Sequence, residues 1–133
     1  MTKKVYIIAE VGNNHEGNFD VARKMIDKAA ETGVDAIKFQ TFKTEQYISS
    51  DNPERFNRLK SFELTYDEFT ALSEYTKKAN LDFISTPFDL ESAIFLKDIV
   101  SSFKISSGDI NFYPLISQVA NTSKDIILST GTA

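Results

Sequence analysis

Two lysines carry the strongest chemical signal in this sequence. Lys38 lies in Ala36-Ile37-Lys38-Phe39-Gln40-Thr41 and Lys104 in Phe103-Lys104-Ile105, each inside an apolar run of strand character. A lysine is rarely buried without a partner, so such a position implies a cavity, a counter-charge or an anion. Strand side chains alternate between faces, which puts Ala36, Lys38 and Gln40 on one side and Ile37 and Phe39 on the other. Ser107 and Ser129 end or follow later apolar runs, beside glycine-bearing backbone at Gly108 and Gly131. Two ammonium groups, two hydroxyls and free backbone N–H groups together suit a phosphate or a carboxylate. The plainer alternative is that each lysine snorkels to the surface from a strand end. Its recurrence on neighbouring units favours the pocket.

Glu10 and Asp109 are the carboxylates at strand ends. They are suited to general acid or base work, to metal binding, or to neutralising the lysines. His15 is the sole histidine and lies in a loop, where hydrogen bonding is commoner than catalysis. A single histidine argues against a complete metal site within the chain. Thr86 and Asn14 are short polar groups of the kind that orient a ligand.

The elements that must position these groups alternate along the chain. Strands are expected over Val5–Val11, Val34–Phe39, Leu81–Ser85, Ser102–Ser106 and Asp125–Leu128, with Pro87 ending the third. Asn18 caps a helix running to about residue 32, which Gly33 stops. Thr65-Tyr66-Asp67-Glu68 has capping-box spacing and opens a helix to about Ala79. Asp89 caps a short helix, and Tyr113-Pro114 starts another, with proline where its missing N–H costs nothing. The stretch 41–62 shows no clear periodicity and reads as a long loop, either functional or a surface insertion. Tyr47, Phe56 and Phe62 within it either close over a substrate or pack the loop itself.

Strict strand–helix alternation means a parallel sheet with right-handed crossovers. The G-x-G-x-x-G signature of a doubly wound nucleotide fold is missing after the first strand. Polar residues end every strand, as in a closed barrel, where all strand ends face one site. Such barrels take about 250 residues, and this chain has 133. The expected fold is α/β, the N-terminal part of a TIM (β/α)8 barrel with about five strands and four helices.

Bulk properties agree. A hydrophobic content of 41% and a charged content of 26% describe an ordinary soluble domain. The net charge of -4 argues against a nucleic-acid surface. With no cysteine, disulfides and thiolate metal sites are excluded. The first apolar run breaks at Glu10, too early for a signal-peptide core, and nothing approaches the ~20 apolar residues that span a bilayer. A cytoplasmic protein without membrane or nucleic-acid partners is the expectation.

Five segments in order resemble the successive motifs of the sialic acid synthase family. They are Ile7 to Gly17 (IIAEVGNNHEG), Ala36 to Thr41 (AIKFQT), Ile84 to Phe88 (ISTPF), Phe103 to Asp109 (FKISSGD) and Ile127 to Gly131 (ILSTG). That family comprises N-acetylneuraminate synthases and their legionaminate, pseudaminate and spore-coat-polysaccharide relatives. The resemblance implies a (β/α)8 barrel followed by a small antifreeze-like domain, working as a homodimer. It implies condensation of phosphoenolpyruvate with an N-acyl hexosamine such as N-acetylmannosamine, aided by a divalent metal, Mn or Mg, whose ligands lie outside this chain. By motif position, Lys38 and Thr86 take the phosphoenolpyruvate carboxylate, while Lys104, Ser107 and Ser129 take its phosphate. Gln40 faces the sugar and Glu10 lies by the reacting carbons. Asp109 stands where several members have a glutamate suggested as acid/base. The 41–62 segment is shorter than the family's usual one. Residues 1–133 would form the N-terminal portion of the barrel, inactive alone. Two rivals remain: a non-catalytic phosphoenolpyruvate-binding fragment, and a Schiff-base pyruvate aldolase using Lys104.

Overall fold

The computed structural model describes residues 5–132. Five strands lie in the sheet order β1-β2-β3-β4-β5, every neighbouring pair parallel. They are β1 (Ile8–Gly12), β2 (Ala36–Thr41), β3 (Asp82–Pro87), β4 (Ser102–Ile105) and β5 (Asp125–Leu128). The order never reverses, so there is no switch point, and successive units wind one way as in a barrel.

The helices are α1 (Phe19–Glu31), α2 (Thr44–Tyr47), α3 (Pro53–Phe62), α4 (Tyr66–Lys78), α5 (Leu90–Leu96) and α6 (Tyr113–Ala120). The expected caps form: Asn18 accepts from the Val21 N–H, Asp89 from that of Ser92, and Thr65 and Glu68 close a capping box. One apolar cluster joins the helices to one face of the sheet. Ala22, Ile26, Phe69, Leu72, Leu96 and Leu115 pack there on Ile37, Phe39, Phe83, Phe103 and Ile105. Ile37 and Phe39 therefore point outward to the helices, the register on which Lys38 faces the other way.

Six helices, rather than about four, is a correction. The stretch 41–62 contains α2 and α3. Asn52 caps α3 by accepting from the Arg55 N–H at 3.0 Å, with Pro53 in the first turn. α3 buries no residue, so it has no apolar stripe to read, and α2 is a single turn. Strand limits also move. β1 begins at Ile8, β4 stops at Ile105, and β2 spans Ala36–Thr41 rather than Val34–Phe39. β3 continues through Pro87, opposite Thr41, because the Phe88 N–H donates to the Thr41 carbonyl at 3.1 Å and carries the pairing past the proline.

Candidate active site

The sheet face turned away from the helices carries the polar residues in rows. Ladder pairs join Glu10 to Lys38, Lys38 to Ile84, Ile84 to Ser102 and Ser102 to Asp125, one row across five strands. One step nearer the C-terminal ends, Gln40 pairs with Thr86, and Lys104 stands two residues beyond Ser102.

Lys38 forms an ion pair with Glu10; the lysine side chain is 14% exposed and the carboxylate 49%. β1 is irregular between Glu10 and Gly12, where the backbone turns to a φ of 58°. A Cβ at Gly12 would lie 3.1 Å from Glu10 Oε1 and 3.3 Å from Gln40 Nε2. That glycine thus lets Glu10 and Gln40 stand side by side.

Lys104 is half-buried and its ammonium donates to the Ile105 carbonyl. Burial holds it below the usual lysine value, and the like charge of Lys38 pushes the same way, against Glu10 and Asp109. Asp109 is pushed above the usual carboxylate range by burial, opposed by Lys104 and by a hydrogen bond from Ser106. A 3-10 turn over Ser107–Asp109 directly after β4 brings this carboxylate back towards the lysine. The Ser106 hydroxyl accepts from the Gly108 N–H at 3.3 Å. Ser106 is thus a site residue that the sequence did not single out. Its neighbour's motif position drew notice instead, and only the turn geometry distinguishes the two.

Glu10, Lys38, Lys104 and Asp109 therefore share one electrostatic neighbourhood, with Gln40 beside Glu10. Thr86 is buried and next to Gln40 in register. Ser129 is tied to β4 through its N–H, which donates to the Ile105 carbonyl at 3.2 Å. The Ser107 carbonyl accepts from the Thr132 hydroxyl at 2.5 Å. Among the described residues, the lysine ammonium groups pair with Glu10 and the Ile105 carbonyl, and no hydrogen bond joins them to the side chains of Thr86, Ser107 or Ser129.

Asn14 and Glu10 both line a cavity of about 460 Å³ bounded by β1 and by Val21, Met25 and Ala29 of α1. His15 lies in the loop after β1, as expected, and is buried there. Its Nδ1 accepts from the Gly17 N–H at 3.1 Å, and its Nε2 has no partner among the described residues. No group of three or more His, Asp or Glu among the described residues is placed to hold a metal ion. Glu10 and Asp109 answer to lysines instead, so these residues do not fit a metal centre of their own. No described helix is long and apolar enough to cross a membrane.

Residues 25–133 match the NeuB family. The chain is 47% identical over 127 residues to the uncharacterized protein MJ1065 of Methanocaldococcus jannaschii, covering 95% of this chain and 37% of that protein. It is 39% identical over 145 residues to N,N'-diacetyllegionaminic acid synthase of Campylobacter jejuni, covering 98% and 43% respectively. A crystal structure of N-acetylneuraminic acid (sialic acid) synthetase from Leptospira borgpetersenii, in complex with citrate, superposes with a TM-score of 0.93 at 41% identity. That match covers 98% of this chain and 46% of the synthetase. The chain thus spans less than half the length of these relatives. By its sequence and by its fold, it belongs to the NeuB family, the family of sialic and legionaminic acid synthases.

Proposed function

We propose that residues 1–133 supply the N-terminal half of the catalytic barrel of a synthase. It would condense phosphoenolpyruvate with the open-chain aldehyde of an N-acyl hexosamine, N-acetylmannosamine or a relative, giving a nine-carbon 2-keto sugar acid and phosphate. One observation carries this: two lysines share one sheet face, close enough that the charge of Lys38 disfavours that of Lys104. Phosphoenolpyruvate brings a carboxylate and a phosphate on one small frame, an anionic acceptor for each ammonium. Relatives named as acid-sugar synthases support the product class.

In this scheme Lys38 and Thr86 take the carboxylate, and Lys104, Ser107 and Ser129 take the phosphate. Glu10 and Gln40 face the aldehyde carbon. The enol C3 attacks that carbon, water adds at C2, and the C2–O bond breaks to release phosphate. Asp109, held protonated more readily than an ordinary carboxyl, would exchange a proton during these steps. The divalent ion expected for the complete enzyme, Mn or Mg, is assigned to residues outside this chain. So are the antifreeze-like domain and the homodimer contacts.

Phosphate release by the complete enzyme tests the assignment. Release requiring both phosphoenolpyruvate and an N-acyl hexosamine, and lost in Lys38→Ala, is expected. Release without the sugar, or undiminished in that variant, would overturn it. The lowered Lys104 ammonium also favours a second possibility, a free amine forming a Schiff base with pyruvate. Borohydride trapping with pyruvate separates the two, and no adduct is expected.

A further inference from the structure

The turn after β2 is held from several sides. The Lys43 N–H donates at 2.8 Å to Asp89, a buried carboxylate that also caps α5. Thr44 donates its N–H and its hydroxyl to Glu63 at 3.0 and 2.9 Å. Glu45 pairs with Lys60 at 3.0 Å, and the Gln46 amide donates to Glu91 at 2.6 Å. So many partners on a one-turn helix fix its last residue, Tyr47.

The Tyr47 ring stacks on Phe88, with centroids 4.6 Å apart and planes 30° apart, and lies 5.5 Å from Phe42. Phe42 is two residues beyond Gln40 and Phe88 two beyond Thr86. The aromatic platform thus stands on the strand ends that carry the upper polar row. The ring is half-buried, and its hydroxyl makes no hydrogen bond among the described residues. Burial pushes the phenol up and the Asp109 carboxylate adds to this, while Arg55 opposes. At neutral pH the group is therefore a free O–H donor that feels the charge of Asp109.

Packing does not require that hydroxyl, because phenylalanine would make the same stack. A fixed ring with an unused donor, standing on the Gln40 and Thr86 strand ends and in the field of Asp109, suits a neutral, hydroxyl-rich ligand better than an anion. We propose that Tyr47 is a specificity residue for the acceptor sugar, its ring and hydroxyl contacting the N-acyl aldehyde at the mouth of the sheet beside Asp109. This rests on the function proposed above.

The test uses the complete synthase with Tyr47→Phe and Tyr47→Ala, KM being measured separately for each substrate. Tyr47→Phe should raise KM for the sugar roughly three- to tenfold, the scale of one neutral hydrogen bond. KM for phosphoenolpyruvate and the melting temperature should stay unchanged. Tyr47→Ala should raise the sugar KM further and narrow the preference among N-acyl hexosamines. An unchanged sugar KM in the phenylalanine variant, or equal rises for both substrates, would overturn the assignment. If the parent enzyme releases no phosphate with any N-acyl hexosamine, the proposed function itself fails, and the role of Tyr47 falls with it. An active parent with an indifferent Tyr47 sinks only the latter.

Discussion

Glu10 and Lys38 face each other across the β1–β2 ladder, and the carboxylate of this ion pair comes from the outermost strand of the sheet. The lysine is well covered while its partner is half exposed. An exposed carboxylate is well solvated and can turn away at little cost. Under the proposed function, Lys38 would then be free to meet the incoming anion, with Glu10 as its partner until substrate binds.

Lys38→Ala and Lys104→Ala should each lower kcat/KM for phosphoenolpyruvate in the complete enzyme by roughly a hundredfold, about 3 kcal/mol of transition-state stabilisation. Steady-state kinetics with the sugar held saturating would show it. A variant within threefold of the parent would remove that lysine from the site.

Gly12→Ala should damage activity more than stability. Its φ of 58° costs a non-glycine residue roughly 1–2 kcal/mol. The new methyl would also press on Glu10 Oε1 at 3.1 Å and Gln40 Nε2 at 3.3 Å, both flexible ends able to give way. The melting temperature should fall by several degrees while kcat/KM for the sugar falls at least tenfold. A normal rate would show that the placement of Glu10 and Gln40 is not critical.

Much of this site is legible from residue type and alternation. Lys38 between Ile37 and Phe39 fixes which face is polar, because burying the two apolar neighbours in the helical core leaves the lysine no other side. Capping residues announce α1, α4 and α5 through the N–H groups they must satisfy. What stays hidden depends on tertiary partners. α3 has no buried face and so no periodic signal. Ser106 sits at the start of a 3-10 turn, and Tyr47 meets Phe88, 41 positions away in the chain (88 minus 47), and the field of Asp109, 62 positions away (109 minus 47). The burial of His15 against Phe39, their rings 6.1 Å apart, is likewise a contact no local pattern encodes.

That histidine gives a pH prediction. Burial lowers its value below the ordinary 6.5, against a small opposing effect of Glu68. The unfolded chain therefore binds the proton more readily, and the stability His15 contributes is complete above pH 6.5. It is lost as pH falls below 6.5 towards the depressed folded value. Since Nδ1 accepts from Gly17, the neutral ring carries its proton on Nε2. As the sole histidine of this chain, it gives a single imidazole signal in NMR. A titration midpoint below 6.5 and the Nε2–H tautomer are expected. A midpoint at or above 6.5, or a proton on Nδ1, would contradict the buried placement.

The last prediction concerns these 133 residues on their own. Among the described residues, β1 and β5 each have a neighbour on one side only. Apolar side chains crowd both edges: Val5, Tyr6 and Ile7 are 74%, 50% and 52% exposed, and Ile126, Ile127 and Leu128 are 39%, 36% and 48% exposed. Unpaired strand edges flanked by apolar groups are templates for pairing with another chain. At ~25 cal/mol per Å² of apolar area, each large side chain left uncovered forfeits roughly 1.5–3 kcal/mol, against a total stability of about 5–15 kcal/mol. A few such losses decide the outcome. The isolated chain should therefore self-associate through its edges or lose cooperative folding, and should not turn over phosphoenolpyruvate and N-acetylmannosamine when metal is supplied. Sedimentation velocity over a hundredfold concentration range, together with thermal melts, checks this. A sharply melting monomer at every concentration, or steady phosphate release, would show that the five strands suffice without further partners.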